Sequence, residues 1–373
     1  MDTLGIWYEP IKGDVKSKVD AKSEEQKEPC KISDVTTEIH VNLWKLRVNH
    51  DKATQGKSTL SKYERNFDYF LDLGLMISNI SGIGKVGLYF PFVISSDEIM
   101  DLGIAFHQDA NLVNTIFNAD LRTTFTGAKI LEVENQADNN KKFNIYSLDT
   151  KQQIEIEEYK NIGAVIHIKL DQISRGRAEA HYFRIRIKSD KVRNFSRIHN
   201  PKNSFFESAF LNTEVIDFRI NERRNFDRSI LERIDSCVLP KISKINFFLL
   251  RSEKDDYILS HKPSDNCRGL EKELWKTYLG DIYTHDDILA YHWKEKNIDS
   301  FRLLIKMKFE KNNVETIAKY IIVIAALSIL FNLIASGLYD GMKSIGTYCK
   351  KNDATSPTTK DGTSNDCHNC HKN

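Results

Sequence analysis

Tyr320 to Leu338 reads YIIVIAALSILFNLIASGL, nineteen residues without a charged side chain, in a chain of 373 residues of which 28% are charged. A helix rises about 1.5 Å per residue, so this stretch covers roughly 28 Å, close to the hydrocarbon thickness of a bilayer. A buried helix of a soluble core is usually shorter and keeps a polar face. The stretch therefore predicts a single transmembrane helix over residues 316–340. A polar, disordered tail is expected over 341–373.

Ahead of the span lie about 315 residues, room for two compact domains or one large β-rich domain. The opening MDTLGIWYEPIKGD has neither a basic n-region nor an apolar h-region, so this part is expected to stay on the cytoplasmic side. Arg302, Lys306, Lys308, Lys311 and Lys319 precede the span, and Lys343, Lys350 and Lys351 follow it. That modest bias points the same way and puts the short tail outside. Cys30, Cys237 and Cys267 are scattered and read as reduced thiols, whereas Cys349, Cys367 and Cys370 fall beyond the span.

Residues 1–33 are predicted to be a flexible arm, because KGDVKSKVDAKSEEQKEPCKIS is charged and has no apolar period. Residues 34–315 read as a β-rich α+β region of mostly antiparallel sheet, with a subdomain boundary near residue 240. Strands are expected at 38–48, 67–77, 85–95, 142–148, 164–170, 181–188, 214–220, 244–250 and 300–309, short alternating runs between polar connections. Helices are expected at 95–103, 108–117, 270–279 and 286–296. The link SNISGIG before Lys85 contains a GIGK that lacks the spacing and the following helix of a phosphate loop. It reads as a hairpin turn supplied by glycine.

Charge is concentrated between Arg175 and Arg233, where fourteen Lys/Arg face eight acids, a local excess of six. In HYFRIRIK, period two puts Tyr182, Arg184, Arg186 and Lys188 on one strand face, opposite Phe183, Ile185 and Ile187. With Arg175, Arg177, Arg193 and Arg197 they form a candidate site for an anionic nucleotide or single-stranded oligonucleotide, phosphates meeting cations and bases stacking on rings. An ordinary solvated face, or attraction to anionic lipid, uses the same residues.

Within the span, Ala325, Ser328, Asn332 and Ser336 fall on one helix face. An amide near mid-membrane needs a partner, so this stripe predicts a homo-oligomer, packed as a dimer seam or lining a narrow wet path. The tail ends in Cys367-His368-Asn369-Cys370-His371, a CxxCH string without a haem pocket around it. No cofactor or metal is assigned. His285-Asp286 and the Asp149…Glu158-Tyr159-Lys160 series are faint echoes of phosphohydrolase and nuclease sites, and no catalytic residue is assigned from them.

A basic β-rich region joined by Lys-rich sequence to one self-associating helix resembles the single-span membrane effectors of bacterial antiphage defence, of the cyclic-oligonucleotide or Hailong channel type. The resemblance covers the layout and matches no motif. It implies a bacterial inner-membrane protein whose cytoplasmic domain takes a nucleotide or oligonucleotide signal from an operon-encoded nucleotidyltransferase and controls an ion-conducting or membrane-disrupting assembly. A tethered scaffold that binds a protein partner, and a tethered nuclease or phosphohydrolase, are the alternatives.

Overall fold

The computed structural model describes residues 3–11, 35–47, 67–127, 129–135, 142–159, 162–171, 173, 178–199, 211–282, 287–310 and 314–353. The chain divides into two units, Met1–Asn312 and Asn313–Asn373.

In chain order the first unit begins with β1 (Gly5–Pro10), β2 (Thr36–Arg47), β3 (Phe67–Ile77), β4 (Ile83–Phe90) and β5 (Ile99–Asp101). Two short helices, α1 (Gly103–Gln108) and α2 (Asn111–Phe117), lead to β6 (Leu121–Gly127), β7 (Ile130–Asn135), β8 (Lys142–Tyr146), β9 (Ile154–Tyr159) and β10 (Gly163–Lys169). Then come β11 (Ala180–Lys188), β12 (Ser196–His199), β13 (Leu211–Ile220), α3 (Arg228–Asp235) and β14 (Lys241–Ser252). The unit closes with β15 (Asp256–Ser260), β16 (Asn266–Gly269), α4 (Lys272–Leu279), β17 (Ile288–Ile298) and β18 (Phe301–Glu310).

A 10-stranded sheet runs β16-β17-β14-β2-β3-β11-β8-β7-β6, with β5 also on β11; two 4-stranded sheets run β1-β4-β10-β9 and β12-β13-β18-β15. Pairing is antiparallel except between β2 and β14 and between β8 and β11. The central strands of the large sheet are buried on both faces. On one, Ile39, Leu73 and Ile185 meet Leu88 and Ile166 of one small sheet and Phe218 and Ile305 of the other. On the opposite face, Trp44, Phe70 and Tyr182 pack under α1, α2 and α4 through Phe106, Leu112, Trp275 and Tyr278. This double burial explains why β2, β3 and β11 carry bulky side chains on both faces rather than a strict apolar/polar alternation.

Several sequence expectations change here. The expected arm 1–33 contains β1, with Ile6, Trp7 and Tyr8 fully buried. Residues 95–103 form a 3₁₀ turn and β5 instead of one helix, because β5 pairs with β11. The C-terminal helix runs past residue 340 to Asp353. Residues 286–296 were expected to be helical, but β17 pairs with β14 from Ile288 to Ile298. That long-range pairing buries Ile288, Ala290 and Trp293 and overrides the local helical preference of WKEK. β3 and β4 do not form a hairpin. Gly82 does take a positive φ of 82°, but the turn carries the chain from the large sheet to a small one. Finally, strands from both sides of residue 240 share the large sheet and the β12–β15 sheet, within one compact unit.

The second unit contains one helix, α5 (Val314–Asp353), of 40 residues. Its segment Ala318–Ser344 is long and apolar enough to cross a membrane. This is consistent with a single-span membrane protein.

Candidate anion pocket

The register of three adjacent strands builds the site. His40 of β2 lies beside Gly74 of β3, which lies beside Arg184 of β11; the next row is Asn42, Asp72 and Arg186. Cross-strand partners share a face, so all these side chains project toward α2 and α4. Gly74 is required by close approach, since a Cβ there would stand 2.2 Å from the Tyr182 hydroxyl.

Arg184 and Arg186 are both 1% exposed. They lie on one face, as period two predicts, but α4 covers that face, so these two form no open cationic surface. Arg186 is paired: Nε and Nη2 donate to Asp72 at 2.6 and 3.0 Å. Asp72 also accepts from Trp44 Nε1 at 2.9 Å and from the Tyr278 hydroxyl at 2.7 Å.

Arg184 is held differently. Nε donates to the Tyr278 hydroxyl and Nη1 to the Tyr182 hydroxyl, each at 2.8 Å. Nη2 donates to the Asn42 side-chain oxygen at 2.9 Å, with the amide turned so that its nitrogen donates to Val41 O. All three acceptors are neutral. Among the described residues the two buried guanidiniums thus share one carboxylate, leaving one positive charge uncompensated.

That charge lines a small pocket, partly open to solvent, with a cavity volume of about 20 Å³. His40, Asn42, Phe248, Arg268 and Trp275 also contribute to the wall. Two buried polar atoms of this wall, His40 Nε2 and Trp275 Nε1, have no hydrogen-bond partner. Burial, reinforced by the charge on Arg184, pushes His40 well below the usual histidine range, so its ring is neutral. Burial likewise raises the Tyr182 and Tyr278 hydroxyls, which remain protonated. Arg268, at the edge strand β16, lies 3.6 Å from Glu271.

Of the described residues singled out from sequence, the structure brings Tyr182, Arg184 and Arg186 together and places Lys188, Arg193 and Arg197 elsewhere. Lys188 ends β11, half in solvent, 3.9 Å from Asp68. Arg193 lies in the turn Asp190–Phe195, and Arg197 is exposed on β12 in a different sheet. Arg175 and Arg177 lie outside the described residues, as do His285, Asp286, Lys160 and the CxxCH tail. Asp149 accepts the backbone N–H of Lys151 and Gln152 in its own turn, while Glu158 is exposed on β9. Among the described residues no group of three or more His, Cys, Asp or Glu is arranged to hold a metal ion.

Sequence reasoning missed His40, Asn42, Asp72, Arg268, Trp275 and Tyr278. A signal for the first three was present: TTEIHVNLWKLR and FDYFLDLGLMI each alternate aliphatic residues with a polar series, Glu38-His40-Asn42 and Asp68-Asp72. Three adjacent strands with polar residues on one face mark a buried polar layer. Neither a family model nor a curated protein matches this sequence.

In α5, the side chains of Ala325, Ser328, Asn332 and Ser336 are exposed. Ser328 donates its hydroxyl back to Ile324 O at 2.9 Å, so Asn332 has the more demanding polar group of the stripe.

Proposed function

We propose that this chain is a membrane-anchored receptor for a small anionic ligand, with the β-rich unit as sensor and α5 as anchor and output. The observation that supports this most is Arg184, a buried guanidinium on the wall of a pocket, bonded only to neutral oxygens. Burying a charge without an opposite charge costs several kcal/mol. Such an arrangement is typical of sites where a ligand supplies the missing charge.

The geometry favours a compact anion over a nucleic acid strand, because of the cations expected on one exposed strand face, Arg184 and Arg186 are buried while Lys188, Arg193 and Arg197 lie apart from them. A nucleotide signal fits the reading only through a part small enough to enter. The resemblance to antiphage effectors supplies the output: ligand binding shifts the association of the Asn332 stripe and thereby the permeability of the bacterial inner membrane. The test is membrane potential in cells expressing the intact chain, with Arg184→Met and Asn332→Leu beside it. The reading expects depolarisation by the intact chain that responds to a co-expressed nucleotidyltransferase. Arg184→Met should lose the response and Asn332→Leu the depolarisation. A membrane that remains polarised under every condition would sink the output arm.

A further inference from the structure

We infer that the Arg184 pocket selects a singly charged oxyanion carried on a compact apolar body, the chemistry of a carboxylate or a phosphodiester. This rests on the receptor reading above and narrows its ligand class.

The charge count gives the first half. Arg184 and Arg186 carry two positive charges and Asp72 one negative, so one more negative charge brings the buried layer to neutrality. Arg268 already has Glu271 as its partner. A dianion would leave an extra negative charge in a poorly hydrated site, where charge interactions are several times stronger than in water.

Following the protons gives the second half. The Tyr182 hydroxyl accepts from Arg184 Nη1, so its own proton points to its other neighbour, His40 Nδ1, at 3.3 Å. A neutral imidazole that accepts at Nδ1 carries its hydrogen at Nε2. The unpartnered His40 Nε2 is therefore an N–H donor, as is the unpartnered Trp275 Nε1. Arg184 has five N–H groups, and its three described bonds leave two more donors. The Asn42 oxygen is already taken by Arg184. Thr115, half-buried on the wall, donates its hydroxyl proton to Asn111 O. The deep groups thus offer hydrogens and call for a group that only accepts. The remaining wall is Ile116, Phe248, Leu250, Leu270 and Ala290, which suits a ring or a few carbons.

The test is calorimetric titration of the full chain in lipid nanodiscs, near neutral pH, with four probes. Benzoate and methyl phenyl phosphate are monoanions with an apolar body. Phenyl phosphate has the same body but is mostly dianionic, and acetate has the charge without the body. Benzoate and methyl phenyl phosphate are expected to bind at least tenfold tighter than the other two. Arg184→Met should abolish their binding. Trp275→Phe, which keeps an aromatic ring and removes the N–H, should weaken binding about tenfold, the effect of one hydrogen bond to a charged group. If phenyl phosphate binds as well as its methyl ester, the charge selection is wrong while the receptor reading stands. If benzoate binds equally to the intact chain and to both variants, the pocket is not the site. If no probe binds at millimolar concentration, both readings fail.

Discussion

Asp72 accepts hydrogen bonds from Arg186, Trp44 and Tyr278, while Arg184 has only neutral acceptors, so the two ends of this layer respond oppositely to mutation. Asp72→Asn strands two buried guanidiniums and is expected to cost about 3–5 kcal/mol of stability, read from urea unfolding. Arg184→Met removes an uncompensated charge and keeps much of the volume. In ligand-free protein it is expected to be neutral or mildly stabilising, the reverse of an ordinary buried-residue change. A loss of more than about 3 kcal/mol in Arg184→Met would identify the guanidinium as structural and undercut the pocket. A second buried cluster sets the response to acid. Glu214 lies 2.8 Å from Lys45 and 3.2 Å from Arg251. Burial opposes its ionisation, but Arg251 and Lys45 outweigh this and hold its pKa at about 2, below the ordinary 4.5. A depressed carboxylate pKa stabilises the fold above the unfolded value and loses that contribution as pH falls toward the folded value. For Glu214 this amounts to about 3 kcal/mol. Unfolding midpoints are therefore expected to fall already below about pH 6.5, where unfolded His40 takes up a proton that the buried ring does not, and more steeply below about pH 5 as the Glu214 contribution is lost. Glu214→Gln should lower the plateau and flatten the acid limb; an unchanged limb would reject this assignment.

At the level of elements, the strands most legible in the sequence are those with long aliphatic runs on a two-residue period, such as Phe67–Ile77 and Ala180–Lys188. β11 shows how far that signal reaches. Period two places Arg184 and Arg186 on one face, but whether that face meets water depends on α4, nearly ninety residues later in the chain. The same remoteness hid β17, whose strand identity comes from its pairing with β14 and not from its own residues. Sheet membership is equally invisible locally: β3 and β4 are adjacent in sequence yet join different sheets. The apolar run in α5 was readable because a span depends on its own residues rather than on distant partners. The element-scale prediction concerns that helix. If Asn332 bonds across a seam between copies, Asn332→Leu should weaken association by about 1–2 kcal/mol, and Ser328→Ala much less, because Ser328 already bonds Ile324 O. Detergent-solution sedimentation of the full chain would show it; equal association of wild type and Asn332→Leu would leave the stripe as passive surface.

For the molecule as a whole, the energy available from one pocket limits what the proposed receptor could do. A ligand shifts a two-state equilibrium only by its differential affinity for the two states. Supplying one missing buried charge is worth about 3–5 kcal/mol at most, and a swing from 1:99 to 99:1 takes roughly 5.5 kcal/mol. A single occupied pocket therefore falls short of a clean switch. The described residues contain one candidate span, so a conducting path built on it would need spans from several chains. Assembly adds the contributions of several pockets: with two or more protomers moving together, the summed energy passes the threshold. The expected consequence is a steep ligand response. Ion leakage from vesicles bearing the full chain, titrated with a monoanion that binds the pocket, should rise or fall with a Hill coefficient clearly above one. Binding to Asn332→Leu, at concentrations where sedimentation shows it monomeric, should follow a simple hyperbola. A hyperbolic leakage curve in the intact chain would mean that each protomer acts alone, and the assembly coupled to the Arg184 pocket would have to be abandoned.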